Sequence, residues 1–279
     1  MREIQAADIT QTIRALCLSA CCEIGQDVLD ALEAAWARER SPFGRDILRQ
    51  LIENDRLACA RGMPICQDTG MAVVFADVGQ DVHIAGGAFE DAIHAGVRAA
   101  YREGCFRNSV LDPLTRLNTG DNTPAVVHTR LVPGDRLALT VAPKGFGSEN
   151  MSRLGMLTPA QGIEGLKAFV VETVRLAGAN PCPPVVVGVG IGSTAEGAML
   201  LAKRGLLRDI GSPAPSPAMA ALEAELLARV NALGIGPQGL GGDTTALAVH
   251  CAQAPTHLAG LPVAVNMQCH AARHKHAVL

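Results

Sequence analysis

Aromatic side chains are scarce: they make up 3% of the 279 residues, with one Trp and one Tyr. A surface that stacks nucleic-acid bases needs more of them. A basic excess is missing too. Lys and Arg number 24 against 27 Asp and Glu, for a formal net charge of −3, so a phosphate backbone is excluded as a partner. No apolar run approaches the roughly 20 residues of a membrane span; the longest, 185–191, is interrupted by two glycines. The opening MREIQAADIT carries Glu3 and Asp8 and has no apolar stretch, which argues against a secretory signal. Leu18-Ser19-Ala20-Cys21 has the form of a lipoprotein cleavage box but lacks the apolar segment that should precede it. With 48% hydrophobic and 18% charged residues, extended disorder is excluded as well.

What is present is Ala, Val, Leu and Gly. The 29 Gly and 16 Pro are spread between apolar runs. That composition predicts an α/β fold, mixed β-sheets flanked by many helices, in one large domain spanning residues 1–279. Ile9, Ile13, Leu16, Cys17 and Ala20 share a helical face over 9–22, with Asp8 as N-cap. Further helices are predicted over 27–39, from Pro42 to about residue 60, and over 87–103, 161–176, 194–204 and 216–233. Strands are predicted over 71–78, 185–189, 245–251 and 262–267, and a strand pair over 125–132 and 135–141 around Pro133-Gly134. Residues 106–124, 144–151 and 211–218 read as loops.

Nine cysteines, an odd number without a secretory signal, argue against a disulfide framework. Cys17, Cys21 and Cys22 lie in a helical pattern, and Cys59, Cys105 and Cys251 among apolar or small residues. Cys66, Cys182 and Cys269 differ, each lying in a loop-forming string: PICQDTG, NPCPP and MQCH. Any of them could be a lone nucleophile. Together they are better explained as ligands of one soft metal centre, for which thiolates select zinc, copper(I) or iron–sulfur. Gly190-Ile-Gly192-Ser-Thr-Ala195 matches a dinucleotide-binding turn, but Asp209 does not end a second strand as that fingerprint requires. A P-loop fails, with Ala198 where Lys must stand. The tail Cys269-His270, His274 and His276 suggests zinc; beside Arg273 and Lys275 it reads better as a solvated basic tail.

The strings ICQDTG (65–70), RLNTGDNTP within 107–124, PKGFGSEN (143–150), NPCPP (180–184), GVGIGST (188–194) and LPVAVNMQCHAARH (261–274) resemble the α subunit of class I, iron–sulfur-dependent fumarate hydratases and L(+)-tartrate dehydratases. The resemblance runs from about residue 8 to the C-terminus. It implies that Cys66, Cys182 and Cys269 hold a [4Fe–4S] cluster with one open iron, which acts as a Lewis acid. It implies substrate contacts from Gln67, Asp68, Arg107 and His257, and a backbone contact from the 144–147 loop, through Gly145 or Gly147. A guanidinium fork at Arg107 suits a carboxylate. Asp68, the strong acid or base beside a cluster ligand, is expected to move a proton, with capping of the Thr69-Gly70 turn as its alternative role.

The activity implied is reversible dehydration of a 2-hydroxy dicarboxylate, with (S)-malate to fumarate favoured and L(+)-tartrate as the alternative. The partners implied are a small dicarboxylate, a separate β subunit completing the site, and a second α copy within a larger assembly; no nucleic acid or membrane is expected. A reducing, cytoplasmic location suits free thiols. The reading from another class is a non-catalytic metal- or nucleotide-binding scaffold, motivated by the GVGIGS turn.

Overall fold

The apolar stripe of the first helix drives its burial: Ile9, Ile13, Leu16, Cys17 and Ala20 are all buried. In the computed structural model, which describes residues 1–214 and 216–279, this helix is α1 (Ala6–Cys22), with Gln5 at the N-cap. Asp8, expected as the cap, falls in the first turn, where a carboxylate meets the positive end of the helix dipole. α2 (Gln26–Arg38) and α3 (Pro42–Arg61) follow as the periodicity predicts. Pro42 opens α3, and Gly62 (φ +62°) sits just past its end. The loop read at 211–218 includes residue 215, which lies outside the described residues. Among the described residues there are eight α-helices and ten strands, an α/β architecture, and no helix is long and apolar enough to cross a membrane.

The chain divides into two units. The first comprises Met1–Ile24, Asp55–Phe146 and Arg273–Leu279; the second, Gly25–Asn54 and Gly147–Ala272. In the first unit, β1 (Arg2–Gln5) pairs in parallel with β3 (Val82–Ala85). Four strands form the main sheet there: β2 (Met71–Gly79), β4 (Val126–Val132), β5 (Leu137–Lys144) and β10 (Lys275–Val278), in the order β10-β5-β2-β4. α1 and α4 (Phe89–Glu103) bury Ala72, Val74 and Ala76 of β2 and Leu137, Leu139 and Val141 of β5 in one core. Two expectations are corrected here. β4 and β5 are not a hairpin pair, because β2 lies between them, parallel to β4 and antiparallel to β5. The tail is not a solvated basic segment: Lys275–Val278 adds an edge strand to β5, and Arg273 is buried.

The second unit is built on β6 (Arg153–Leu157), β7 (Val185–Ser193), β8 (Ala246–Thr256) and β9 (Leu261–Gln268), in the order β6-β9-β7-β8. α6 (Gly162–Ala177) and α8 (Pro217–Asn231) cover the face carrying Val187, Val189, Val263 and Val265. α7 (Ala195–Gly205) lies on the opposite face. GVGIGS is the strand itself, not the strand-to-helix turn expected from its glycines. A Cβ at Gly188 would meet the Ala202 carbonyl oxygen at 2.1 Å, and one at Gly190 the Ala198 carbonyl oxygen at 2.0 Å. These two glycines let α7 press its backbone onto β7.

Candidate active site

The PICQDTG loop joins α3 to β2 in the first unit, and hydrogen bonds from several directions lock it. The Ile65 N–H donates to the Cys21 carbonyl at 3.0 Å. The Tyr101 hydroxyl donates to the Thr69 carbonyl at 2.7 Å, and Asn122 Nδ2 donates to the Gly70 carbonyl at 3.1 Å. The Thr69 hydroxyl donates to the Arg107 carbonyl at 3.1 Å, tying the two candidate segments together. Gly70 is left-handed (φ +72°), and a Cβ there would meet the Lys144 backbone at 2.6 Å, so only glycine fits this turn.

Asp68 is the best-defined side chain of this loop. Its Oδ1 accepts from the Gly70 N–H at 2.9 Å and its Oδ2 from the Phe146 N–H at 2.9 Å. The first of these bonds is the turn cap that the sequence offered as the alternative role; the second orients the carboxylate as well. A Cβ on Gly145 would lie 3.2 Å from Asp68 Oδ2, so Gly145 keeps room for the carboxylate. The Cys66 thiol is half-buried, with Sγ donating to Gln67 Oε1 at 3.3 Å. Gln67 and Arg107 are exposed. The first unit thus brings together Cys66, Gln67, Asp68, Gly145 and the Arg107 segment.

The second unit groups the other two candidate thiols. β7 and β9 are antiparallel, with Val186 opposite Gln268. That register sets the loop entering β7, with Cys182, beside the end of β9, with Cys269. The His270 N–H donates to the Cys182 carbonyl at 3.2 Å. Cys182 is exposed and adopts a left-handed backbone, φ +54°, a conformation that costs a side-chain-bearing residue about 1–2 kcal/mol. Gly147, in α5 (Phe146–Glu149), would place a Cβ 3.1 Å from the Asn180 carbonyl oxygen, so it too lies against the Cys182 loop. His257 is placed differently. It follows the end of β8, which is parallel to β7. It therefore lies at the opposite end of the sheet from Cys182 and Cys269, roughly 30 Å away at about 3.3 Å per strand residue. It is exposed, and its Nδ1 accepts from the Ala259 N–H at 3.2 Å.

Among the described residues no cysteine is in a disulfide. Among the described residues no group of three or more His, Cys, Asp or Glu side chains could hold a metal ion. A four-iron cluster takes its thiolates on separate irons, farther apart than the ligands of one ion. The donor chemistry of three loop thiols, two of them at one sheet end, fits such a cluster. Burial separates these thiols from three others. It pushes Cys21 up to about 11 and Cys251 up to about 12, and it raises Cys17 further. Because the thiolate is the reactive form, iodoacetamide on metal-free folded protein near pH 7.5 is expected to label the exposed Cys59, Cys105 and Cys182 first. Cys17, Cys21 and Cys251 should stay unmodified until unfolding. Labelling of Cys21 as fast as Cys182, read by peptide mass spectrometry, would contradict this arrangement.

Sequence reasoning missed the residues that hold the loops. Tyr101 carried a signal, being the lone tyrosine, inside a helical pattern. Asn122 lies in the NTGDNTP string and is fully buried; its Oδ1 also accepts from the Ser109 N–H at 2.6 Å. In the second unit, Lys203 of α7 pairs with Glu149, whose other oxygen accepts from Asn266 Nδ2 at 3.0 Å. That network anchors α5, and no local pattern announces it.

Comparison with known proteins shows the family of the chain. The family profile "Fumarate hydratase (Fumerase)" matches residues 10–278. A Methanocaldococcus jannaschii protein named "Putative L(+)-tartrate dehydratase subunit alpha" is 43% identical over 271 residues, covering 95% of each chain. The L(+)-tartrate dehydratase subunit alpha of Escherichia coli K12 is 35% identical over 251 residues, covering 88% of this chain and 82% of the relative, and the Shigella sonnei protein of that name matches equally. Matched along nearly its whole length, this chain belongs to the fumarate hydratase (Fumerase) family and is a hydro-lyase α-subunit chain.

Proposed function

We propose that this chain, together with a β subunit, removes water reversibly from a 2-hydroxy dicarboxylate, converting (S)-malate to fumarate. The observation that carries the reading is the Asp68 loop. It is a carboxylate oriented by two backbone N–H groups, next to a free thiol and tied to the Arg107 segment. Cys66, Cys182 and Cys269 would hold a [4Fe–4S] cluster, which supplies Lewis-acid activation of the leaving hydroxyl.

The chain's own residues do the rest. The Arg107 guanidinium binds one substrate carboxylate through its planar fork. Gln67 hydrogen-bonds the substrate beside Cys66, and the 145–147 backbone contacts the second carboxylate. Asp68 takes part in moving the proton. Each carboxylate oxygen accepts one backbone N–H, and lone-pair capacity remains for a substrate proton. His257, at the far end of β8, is given no role. A reducing, cytoplasmic setting suits the free thiols.

The names of the relatives favour a second reading, dehydration of L(+)-tartrate. The two substrates differ by one hydroxyl. A site built to bind that hydroxyl rejects a substrate lacking it by about 10⁴-fold, whereas an apolar site rejects the extra hydroxyl by only about 10²-fold. The test is to assay both substrates with the anaerobically assembled α and β chains. Fumarate formed from malate supports the first reading, and oxaloacetate formed from tartrate alone supports the second. Turnover of neither would overturn both. Asp68→Asn in the same assembly is expected to lower kcat by about 10²–10⁴-fold, with iron content unchanged. A kcat within twofold of wild type would leave Asp68 as a turn cap only.

A further inference from the structure

Arg273 is 3% exposed. Its Nη2 donates to the Asp68 main-chain carbonyl, and its Nε donates to the Pro143 carbonyl at 3.5 Å. Its Nη1 has no partner. Among the described residues no carboxylate lies within ion-pair distance of it. A guanidinium buried without a counter-ion is strongly destabilising. A side chain kept here only to fill the core would be apolar.

What the cation touches gives the reason for it. Tyr101 and Asn122 hold the carbonyls of Thr69 and Gly70, and among the described residues Arg273 holds that of Asp68. The Asp68 carboxylate is in turn held by the N–H groups of Gly70 and Phe146. Phe146 and Arg273 also bound the longer of the chain's two excursions into the second unit, Gly147–Ala272. Main chain and side chain of Asp68 are therefore held by the two residues that flank this excursion.

We propose that Arg273 is a positioning residue: through the Asp68 carbonyl it sets the direction in which the Asp68 carboxylate faces. This rests on the reading that Asp68 serves the reaction. Other groups around the guanidinium are Cys21, Cys22 and Tyr101, which are neutral at neutral pH and do not take its charge. An Asp68 carboxylate misplaced by about 1 Å is enough to slow a reaction about 10²-fold.

The test uses Arg273→Gln and Arg273→Met in the assembled enzyme, alone and combined with Asp68→Asn. The first readout is independent of activity: hydrogen exchange at the Gly70 and Phe146 amides. It is expected to quicken at least about tenfold while β2 and β5 stay protected. The second is the split between kcat and KM, with kcat lowered about 10²-fold and KM little changed. The third is coupling, because in the Asp68→Asn background the Arg273 substitutions should add little. Unchanged exchange, exchange quickened through the whole first unit, or losses that simply add would each overturn the proposal. If Arg273→Met does not fold, Arg273→Gln decides by the same measurements. Failure of both to fold would make Arg273 a core residue and overturn it too. An assembly that dehydrates neither malate nor tartrate refutes the functional reading, while the exchange measurement still decides the role of Arg273.

Discussion

Cys66→Ala, Cys182→Ala and Cys269→Ala are each expected to lose at least about 10³-fold in kcat, while Cys59→Ala and Cys105→Ala keep it. Lewis-acid stabilisation of a developing oxyanion amounts to several kcal/mol, and about 4 kcal/mol corresponds to ~10³-fold in rate. Loss of fold would not explain the result. Cys182 is exposed and Cys66 and Cys269 are half-buried, so truncation leaves no cavity of consequence. Cys182 gives a sharper version. Its left-handed backbone would suit glycine better, so Cys182→Gly is expected to hold or raise the melting temperature while activity disappears. Strain retained at a site that loses function when relaxed marks a functional residue. Full activity in Cys182→Gly would contradict the assignment.

Gly190→Ala is expected to destabilise the second unit by about 3 kcal/mol, at the upper end of core overpacking. The added methyl would meet the Ala198 carbonyl oxygen at 2.0 Å and the Ala202 nitrogen at 2.7 Å. Those are backbone atoms of α7, and no side-chain rotation relieves them. α7 must slide, and its contacts with Ala264 of β9 go with it. A fall of roughly 10 °C in the melting transition follows for a unit of this size. Gly260→Ala is the control. It has ordinary φ and nothing within 4 Å of a built Cβ, and it should change stability little. Equal melting temperatures for the two variants would mean that the glycines of GVGIGS serve something other than helix packing, and would reopen the nucleotide-loop reading.

Much of the fold was legible because the periodicities were long. α1, α2 and α4 each carry an apolar stripe over three or more turns, and β7 and β9 are near-continuous Val and Ala runs. β1, β3 and β10, at four residues each, are too short for alternation to stand out. Pro133-Gly134 signals a turn between paired strands, while the strand order depends on β2, which lies far earlier in the sequence and separates β4 from β5. The GVGIGS glycines carry the same local signal whether a phosphate or a helix approaches them, and only the position of α7 separates the two. Cys66, Cys182 and Cys269 stand out in the sequence as candidates because cysteine beside Pro and Gly is unusual for a core residue. Arg273 was not, because a basic residue among histidines reads as surface until its burial is known. That the candidates fall into two sets, with His257 at the far end of its sheet, follows from strand direction, which no local pattern records.

The most direct test of the central claim is iron and acid-labile sulfide on the chain purified without oxygen. The account predicts about four of each per chain, the content of one [4Fe–4S] cluster. Chain that stays free of iron and sulfide after anaerobic reconstitution would contradict it.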